Sequence, residues 1–121
     1  MKILRATAIA GSTTNQNKGE KIMLFHADDS DFKEKVLDKS EEKILVDFYA
    51  DWCGPCQMLA PAVEEISKTY TVCKVNVDES PETAAMFSIH SIPTLAVIEN
   101  GQTKNISVGY MEKDEILEML K

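Results

Sequence analysis

Cysteine is scarce in this chain: three residues in 121, which cannot all pair. A small secreted scaffold stapled by disulfides carries more of them, usually in even number, so that class is excluded. Histidine is scarcer still, at two, so a metal centre would have to be assembled from scattered ligands. Basic charge is outweighed, with 13 Lys and Arg against 20 Asp and Glu and a formal net charge of −7. Phosphate backbones are held by clustered Lys and Arg, and a balance this acidic argues against a nucleic-acid partner. No apolar run approaches the roughly 20 residues that cross a bilayer, which argues against a membrane protein. What is present is ordinary for a soluble globular chain, 44% hydrophobic and 27% charged. The length suits one domain with a real core.

The charge is unevenly placed. Residues 1–21 hold Lys2, Arg5, Lys18 and Lys21 against Glu20, and the remaining residues carry 9 basic and 19 acidic side chains. The stretch from Gly11 to Gly19 is polar, turn-rich and without periodicity, so residues 1–21 read as a flexible N-terminal extension and residues 22–121 as the folded domain. Lys2 and Arg5 suit the basic start of a signal peptide, but Ile3 to Ala10 is short and interrupted by Arg5 and Thr7. An added leader or an upstream start fits better than export, and Met23 offers an alternative start.

Along the folded part, Ile22 to His26 reads as a short strand. Asp28, Asp29 or Ser30 is placed to cap a helix through Phe32, Val36 and Leu37. Ile44 to Ala50 is an apolar run that reads as a buried strand, and Gln57 to Ile66 carries apolar residues at helical spacing. Thr71 to Val77 is β-branched and alternating, another strand. Ser80-Pro81-Glu82 predicts a helix start with Ser80 as the capping side chain and proline in the first turn, the helix ending before Ile89. Strands at Thr94–Ile98 and Ile106–Val108 flank Asn100-Gly101, a hairpin signal. Lys113 to Lys121 places Ile116, Leu117 and Leu120 on one helical face. Strands alternating with helices call for parallel crossovers, and the hairpin adds antiparallel strands. The expectation is a mixed central sheet with helices on both faces.

Trp52-Cys53-Gly54-Pro55-Cys56 lies where the buried strand hands over to the helix. Thiols three positions apart can close a small reversible disulfide, and Cys53 falls at a helix N-terminus, where unpaired N–H groups favour a thiolate. The competing reading is half of a zinc site. Zinc takes four ligands, however, and Cys73, His26 and His90 are scattered without paired spacing, so no metal is expected. Asp47 interrupts the apolar strand six residues before Cys53. A buried carboxylate is costly unless paired or protonated, so its pKa should rise; an ordinary edge-strand aspartate is the alternative. Cys73 reads as a small buried hydrophobe facing away from Lys74, with a regulatory thiol the minority reading. His90 fits an exposed loop or the rim of a groove near Ile92. Pro61 lacks the N–H for a helix bond and should kink its helix.

With this motif, its setting and the element order assembled, the chain resembles the thioredoxin family from about Ile22 to the C-terminus. The resemblance is carried by Val46 through Cys56, Pro61, Lys74-Val75-Asn76-Val77-Asp78, Ile92-Pro93-Thr94, Asn100-Gly101 and Val108-Gly109. It departs at Tyr49, where tryptophan is common, and at Gln57, where a cation is common. The segment between Pro61 and Asn76 is also shorter than usual.

The resemblance implies the thioredoxin fold, of α/β class, with a central mixed five-stranded sheet flanked by four helices. It implies a general protein-disulfide reductase with Cys53 as nucleophile and Cys56 as the resolving thiol. Asp47 would move a proton toward Cys56 through water, modulated by Lys74, and Gly54 and Pro55 would tune the potential toward a reductant. Ile92-Pro93 resembles the family's cis-proline dipeptide, which aims the Ile92 backbone at a bound extended peptide. Trp52, Val108 and Gly109 would complete a shallow substrate rim; for Tyr110, surface packing and substrate contact fit equally. No bound cofactor is implied, since the electrons reside on two sulfurs and NADPH enters only through a thioredoxin reductase. The implied partners are that reductase and disulfide-containing client proteins, for a cytoplasmic monomer. Two rivals stand beside this reading: an exported thiol–disulfide protein with a dedicated partner, and a non-enzymatic module that uses the groove as a clamp.

Overall fold

Apolar residues on both faces of one strand place that strand in the middle of a covered sheet. That strand is β2 (Lys43–Tyr49), in which Ile44 through Phe48 are all buried. The computed structural model describes residues 22–121, and the segment read as an extension, residues 1–21, lies outside the described residues. Around β2 lie β1 (Leu24–His26), β3 (Thr71–Asn76), β4 (Thr94–Glu99) and β5 (Gln102–Val108). Their order across the sheet is β1-β3-β2-β4-β5. β1 and β2 run parallel to β3, whereas β4 runs antiparallel to both β2 and β5. This is the mixed five-stranded sheet that the sequence implies.

Four helical segments connect the strands: α1 (Lys33–Leu37), α2 (Gly54–Ile66), α3 (Pro81–Met86) and α4 (Lys113–Met119). Strand alternation divides the core into two layers. Ile44, Val46, Phe48, Cys73, Val75, Ala96 and Ile98 pack with Phe32, Val36 and Phe87 on the α1 and α3 side. Leu45, Val72, Leu95 and Val97 face the other way, against Leu59, Val63 and Ile66 of α2 and Ile116 and Leu120 of the α4 segment. Asp47 and Tyr49, two and four residues after Leu45, therefore share the α2 side with Lys74, two residues after Val72.

Local geometry departs from expectation in three places. The first helix is a single wide turn in which the Asp38 N–H reaches the Lys33 carbonyl at 2.8 Å, a π-type bond. Asp28 serves that loop by accepting the Ser30 N–H at 2.9 Å, ahead of the helix rather than as its cap. The expected Ser80 cap is not formed: Ser80 Oγ is buried without a hydrogen-bond partner among the described residues. Asp29 caps α3 in its place. Its Oδ1 accepts the Thr83 N–H and hydroxyl, both at 2.7 Å, and its Oδ2 accepts the Glu82 N–H at 3.0 Å.

The hairpin strand is also longer than its apolar stretch. Asn100 (φ 55°) and Gly101 (φ 73°) both hold positive φ, a two-residue turn that lets pairing begin at once between Glu99 and Gln102. The polar run Gln102–Asn105 faces solvent, so it lacks a hydrophobic signature although it is strand. Gly101 has a second reason to be glycine. A Cβ there would lie 2.6 Å from the Leu37 carbonyl oxygen.

Candidate active site

Cys53 is the N-cap of α2, with extended backbone (φ −90°, ψ 109°). Its sulfur accepts the Cys56 N–H at 3.2 Å, one of the donors that a helix start leaves without an intrahelical partner. The two cysteines are joined as a disulfide, with Cα atoms 5.3 Å apart, so this is the oxidised form. Gly54 and Pro55 fill the first two helical positions. Pro55 supplies the preset φ of a first turn but no N–H to the neighbouring sulfur. Pro61 lies inside the same helix, which continues across it to Ile66.

The Ile92–Pro93 bond is cis. The Ile92 carbonyl oxygen lies 3.9 Å from Cys53 Sγ, and the Gly109 N–H donates to the Pro93 carbonyl at 2.7 Å. These contacts draw Cys53, Ile92, Pro93, Val108 and Gly109 into one neighbourhood. Both sulfur residues are sheltered, Cys53 at 4% and Cys56 at 6% exposure, whereas Trp52 (71%) and Val108 (66%) stand open around them. Such an apolar rim around a nearly covered disulfide can receive an extended chain. Tyr110 is exposed in the same stretch, and His90 is exposed in the loop before Ile92.

The sequence reading missed what holds the rim in place. The Trp52 indole N–H donates to Asp78 Oδ2 at 2.8 Å, and Asp78 in turn has its N–H on Asn76 Oδ1 at 2.9 Å. Gln57, at the position where a cation is common, donates from Nε2 to the Asp51 carbonyl at 2.9 Å and ties the helix to the turn before it. No local spacing signals either contact.

Behind the disulfide, Asp47 stands in register with Lys74 on the neighbouring parallel strand. Its carboxylate is buried, and Oδ1 has no hydrogen-bond partner among the described residues. Burial pushes the Asp47 pKa up to about 6, outweighing the pull of the Lys74 charge the other way. The edge-strand alternative for Asp47 is thereby excluded. Lys74 Nζ sits 4.5 Å from the centroid of the Tyr49 ring. A pocket of about 180 Å³ is lined by Tyr49, Asp51, Cys56, Gln57 and Lys74 among others, so Lys74 and the second cysteine share one cavity.

Cys73 faces the opposite core layer, fully buried, and burial raises its thiol to about 12. It behaves there as a small hydrophobe. Among the described residues, no group of three or more His, Cys, Asp or Glu is placed to hold a metal ion, and no helix is long and apolar enough to cross a membrane.

A sheltered dithiol pair at a helix start, facing a cis-proline across an apolar rim, defines a thiol–disulfide exchange protein. The thioredoxin family profile matches residues 23–121. A thioredoxin from Synechocystis sp. is 48% identical over 97 residues, covering 77% of this chain and 90% of its own. One from Rickettsia conorii is 44% identical over 96 residues, covering 76% and 90% respectively. Among solved structures, reduced Schistosoma mansoni thioredoxin pre-protein superposes with a TM-score of 0.74 at 33% identity, covering 80% of this chain and 94% of its own. A mutant thioredoxin from Halobacterium salinarum gives the same TM-score at 31% identity, covering 80% and 87%. The chain belongs to the thioredoxin family. It is a thiol–disulfide oxidoreductase that works by dithiol–disulfide exchange.

Proposed function

We propose that this protein is a general reductant of protein disulfides, with Cys53 as attacking thiolate and Cys56 as resolving thiol. The observation that carries the assignment of roles is the N–H of Cys56 directed at Cys53 Sγ from the start of α2. A donor aimed at that sulfur stabilises negative charge on it and lowers its proton affinity, and an unperturbed thiol of pKa about 8.5 would be only a few per cent ionised at neutral pH. Cys56 lies on the inner side, against the pocket that adjoins Lys74.

In the reduced form, the Cys53 thiolate attacks one sulfur of a client disulfide. The client S–S bond breaks, a Cys53–client bond forms, and the released client thiolate takes up a proton. Cys56 then gives its proton toward Asp47 through water, and attacks Cys53 Sγ. The mixed disulfide breaks, and the second client thiolate leaves and takes up the proton that Asp47 received. The client has gained two electrons and two protons, and Cys53–Cys56 is oxidised. Ile92 and Pro93, with Trp52, Val108 and Gly109, hold the client strand over the sulfur, while Gly54 and Pro55 bias the couple toward donating electrons. Lys74 moderates Asp47.

The couple is recharged by a flavin-dependent thioredoxin reductase drawing on NADPH. The protein acts as a monomer in the reducing environment of the cytoplasm, and residues 1–21 take no part in the exchange. NADPH-coupled insulin reduction with a thioredoxin reductase tests this reading. Wild type and the 22–121 fragment extended by Met should turn over equally, and Cys53→Ser should fall to background. Undiminished turnover in Cys53→Ser would discard the assignment.

A further inference from the structure

Two residues on the α2 side of the sheet compete for one cation. Asp47 and Lys74 are register partners on adjacent parallel strands, so their side chains leave the sheet side by side. Yet the Lys74 ammonium is drawn over the ring face of Tyr49, 4.5 Å from its centroid, while Asp47 Oδ1 is left without a partner among the described residues. Tyr49 follows Asp47 by two positions on the same strand and projects from the same face. The aromatic quadrupole attracts an ammonium from above the ring, and a half-buried setting strengthens that attraction over its value in water. The His26 ring also packs against Tyr49 in a T-shaped pair, with 6.3 Å between centroids.

We propose that Tyr49 is a positioning residue: its ring holds the Lys74 ammonium off the Asp47 carboxylate and so sets how readily that carboxylate holds a proton. The inference deepens the reading in which Asp47 receives the Cys56 proton, and it rests on that reading only for its kinetic consequence. Charged and titratable groups facing the pair come from every element around it. Asp51 follows β2, Glu79 lies between β3 and α3, and His26 ends β1; Asp28 and Asp31 line the adjoining pocket of about 110 Å³, and Cys56 of α2 lines the one of about 180 Å³. Tyr49→Phe removes the hydroxyl but leaves the face that holds the cation. Tyr49→Leu removes the face.

The test is a carboxyl-carbon NMR titration of Asp47 in the full chain, kept oxidised so that Cys56 does not titrate. With Tyr49→Leu, Lys74 is released toward the carboxylate and the Asp47 midpoint falls by about half a pH unit. With Tyr49→Phe it stays within about 0.2 of wild type. With Tyr49→Trp, a stronger cation holder, it rises. In a Lys74→Met background, none of the three substitutions moves the midpoint. A Tyr49→Leu shift that persists without Lys74 would overturn the proposal, because the ring would then act by shielding Asp47 from water. Should Tyr49→Leu not fold, the Tyr49→Trp rise and its dependence on Lys74 decide the matter alone. The catalytic reading is judged separately: a moved Asp47 midpoint with an unmoved pH profile of insulin reduction would uphold the positioning role and reject Asp47 as proton acceptor.

Discussion

The Asp29 carboxylate caps helix α3 through Thr83, a residue 54 positions later in the chain, taking both its N–H and its hydroxyl at 2.7 Å. The β1–α1 loop is thereby fastened to the helix that leads to the cis-proline loop. Burial opposes ionisation of Asp29, but the hydrogen bonds from Thr83 and Glu82 outweigh it and hold the carboxyl below its ordinary range.

The first prediction contrasts two residues. Asp29→Ala should lower Tm by a few degrees at pH 7, because it strands the first-turn N–H groups of α3. The loss should shrink as pH falls: a depressed carboxylate stabilises the fold above its unfolded pKa and stops doing so once protonated. Ser80→Ala should be neutral or slightly stabilising, since it removes a buried hydroxyl that makes no bond. Thermal unfolding followed by circular dichroism checks both, and a larger loss from Ser80→Ala than from Asp29→Ala would return the cap to Ser80.

That contrast marks where the sequence stops being readable. The helix start at Ser80-Pro81 is legible because proline at the first turn is a local signal, but the side chain that caps it lies on another element. The same division holds at the site. Cys53, Cys56 and the strand-to-helix handover are encoded within a dozen consecutive residues, and the buried character of Asp47 follows from the apolar strand it interrupts. The Trp52–Asp78 hydrogen bond spans 26 positions and the Tyr49–Lys74 contact crosses between strands, so both depend on sheet register. Strand β5 illustrates a different limit. Gln102 to Asn105 pair as an edge strand with side chains in solvent, and an exposed strand carries no hydrophobic period to read.

Asp47 should make stability depend on pH in the sense opposite to Asp29. Its folded pKa of about 6 exceeds the ordinary value of 3.8. Below about pH 3 both states are protonated and burial carries no ionic cost. Between there and pH 6 the folded state binds more protons, so stability falls as pH rises, and above pH 6 the full cost of about 3 kcal/mol is present. Asp47→Ala should therefore raise the unfolding free energy by about 1–3 kcal/mol at pH 8, after some loss of packing, and by less than about 1 kcal/mol at pH 4. Urea titrations at the two pH values measure it. A gain of equal size at both would assign the effect to packing rather than to charge.

The three thiols should separate cleanly by reactivity. In the reduced protein at pH 7, iodoacetamide should label Cys53 first, aided by the Cys56 N–H directed at its sulfur. Cys73, buried and raised to about 12, should be labelled only after denaturation. Intact-mass and peptide analysis of a time course gives the order. The same chemistry predicts that Cys56→Ser accumulates a mixed disulfide through Cys53, visible on a non-reducing gel, whereas Cys53→Ser accumulates none.

Pro55 should set the direction in which the couple runs. It occupies the second position of α2, between Gly54 and Cys56, and contributes neither an N–H nor a charge. The sulfur's helix-start partner is the N–H of Cys56. Substituting Pro55→His returns one N–H and adds an imidazole beside the thiolate, and both stabilise the reduced form. Stabilising the reduced form makes the disulfide form a stronger oxidant, so the potential measured against a glutathione couple should rise by about 30 mV or more, roughly tenfold in the exchange equilibrium. Pro55→Ala restores the N–H without the imidazole and should give a smaller rise of the same sign. Insulin reduction should slow in the same rank order, because the electrons are held more tightly where the thiolate is better solvated by the helix. If neither variant moved the potential, the bias toward reduction would have to lie outside the Gly54-Pro55 pair, in the burial of the two sulfurs beneath Ile92.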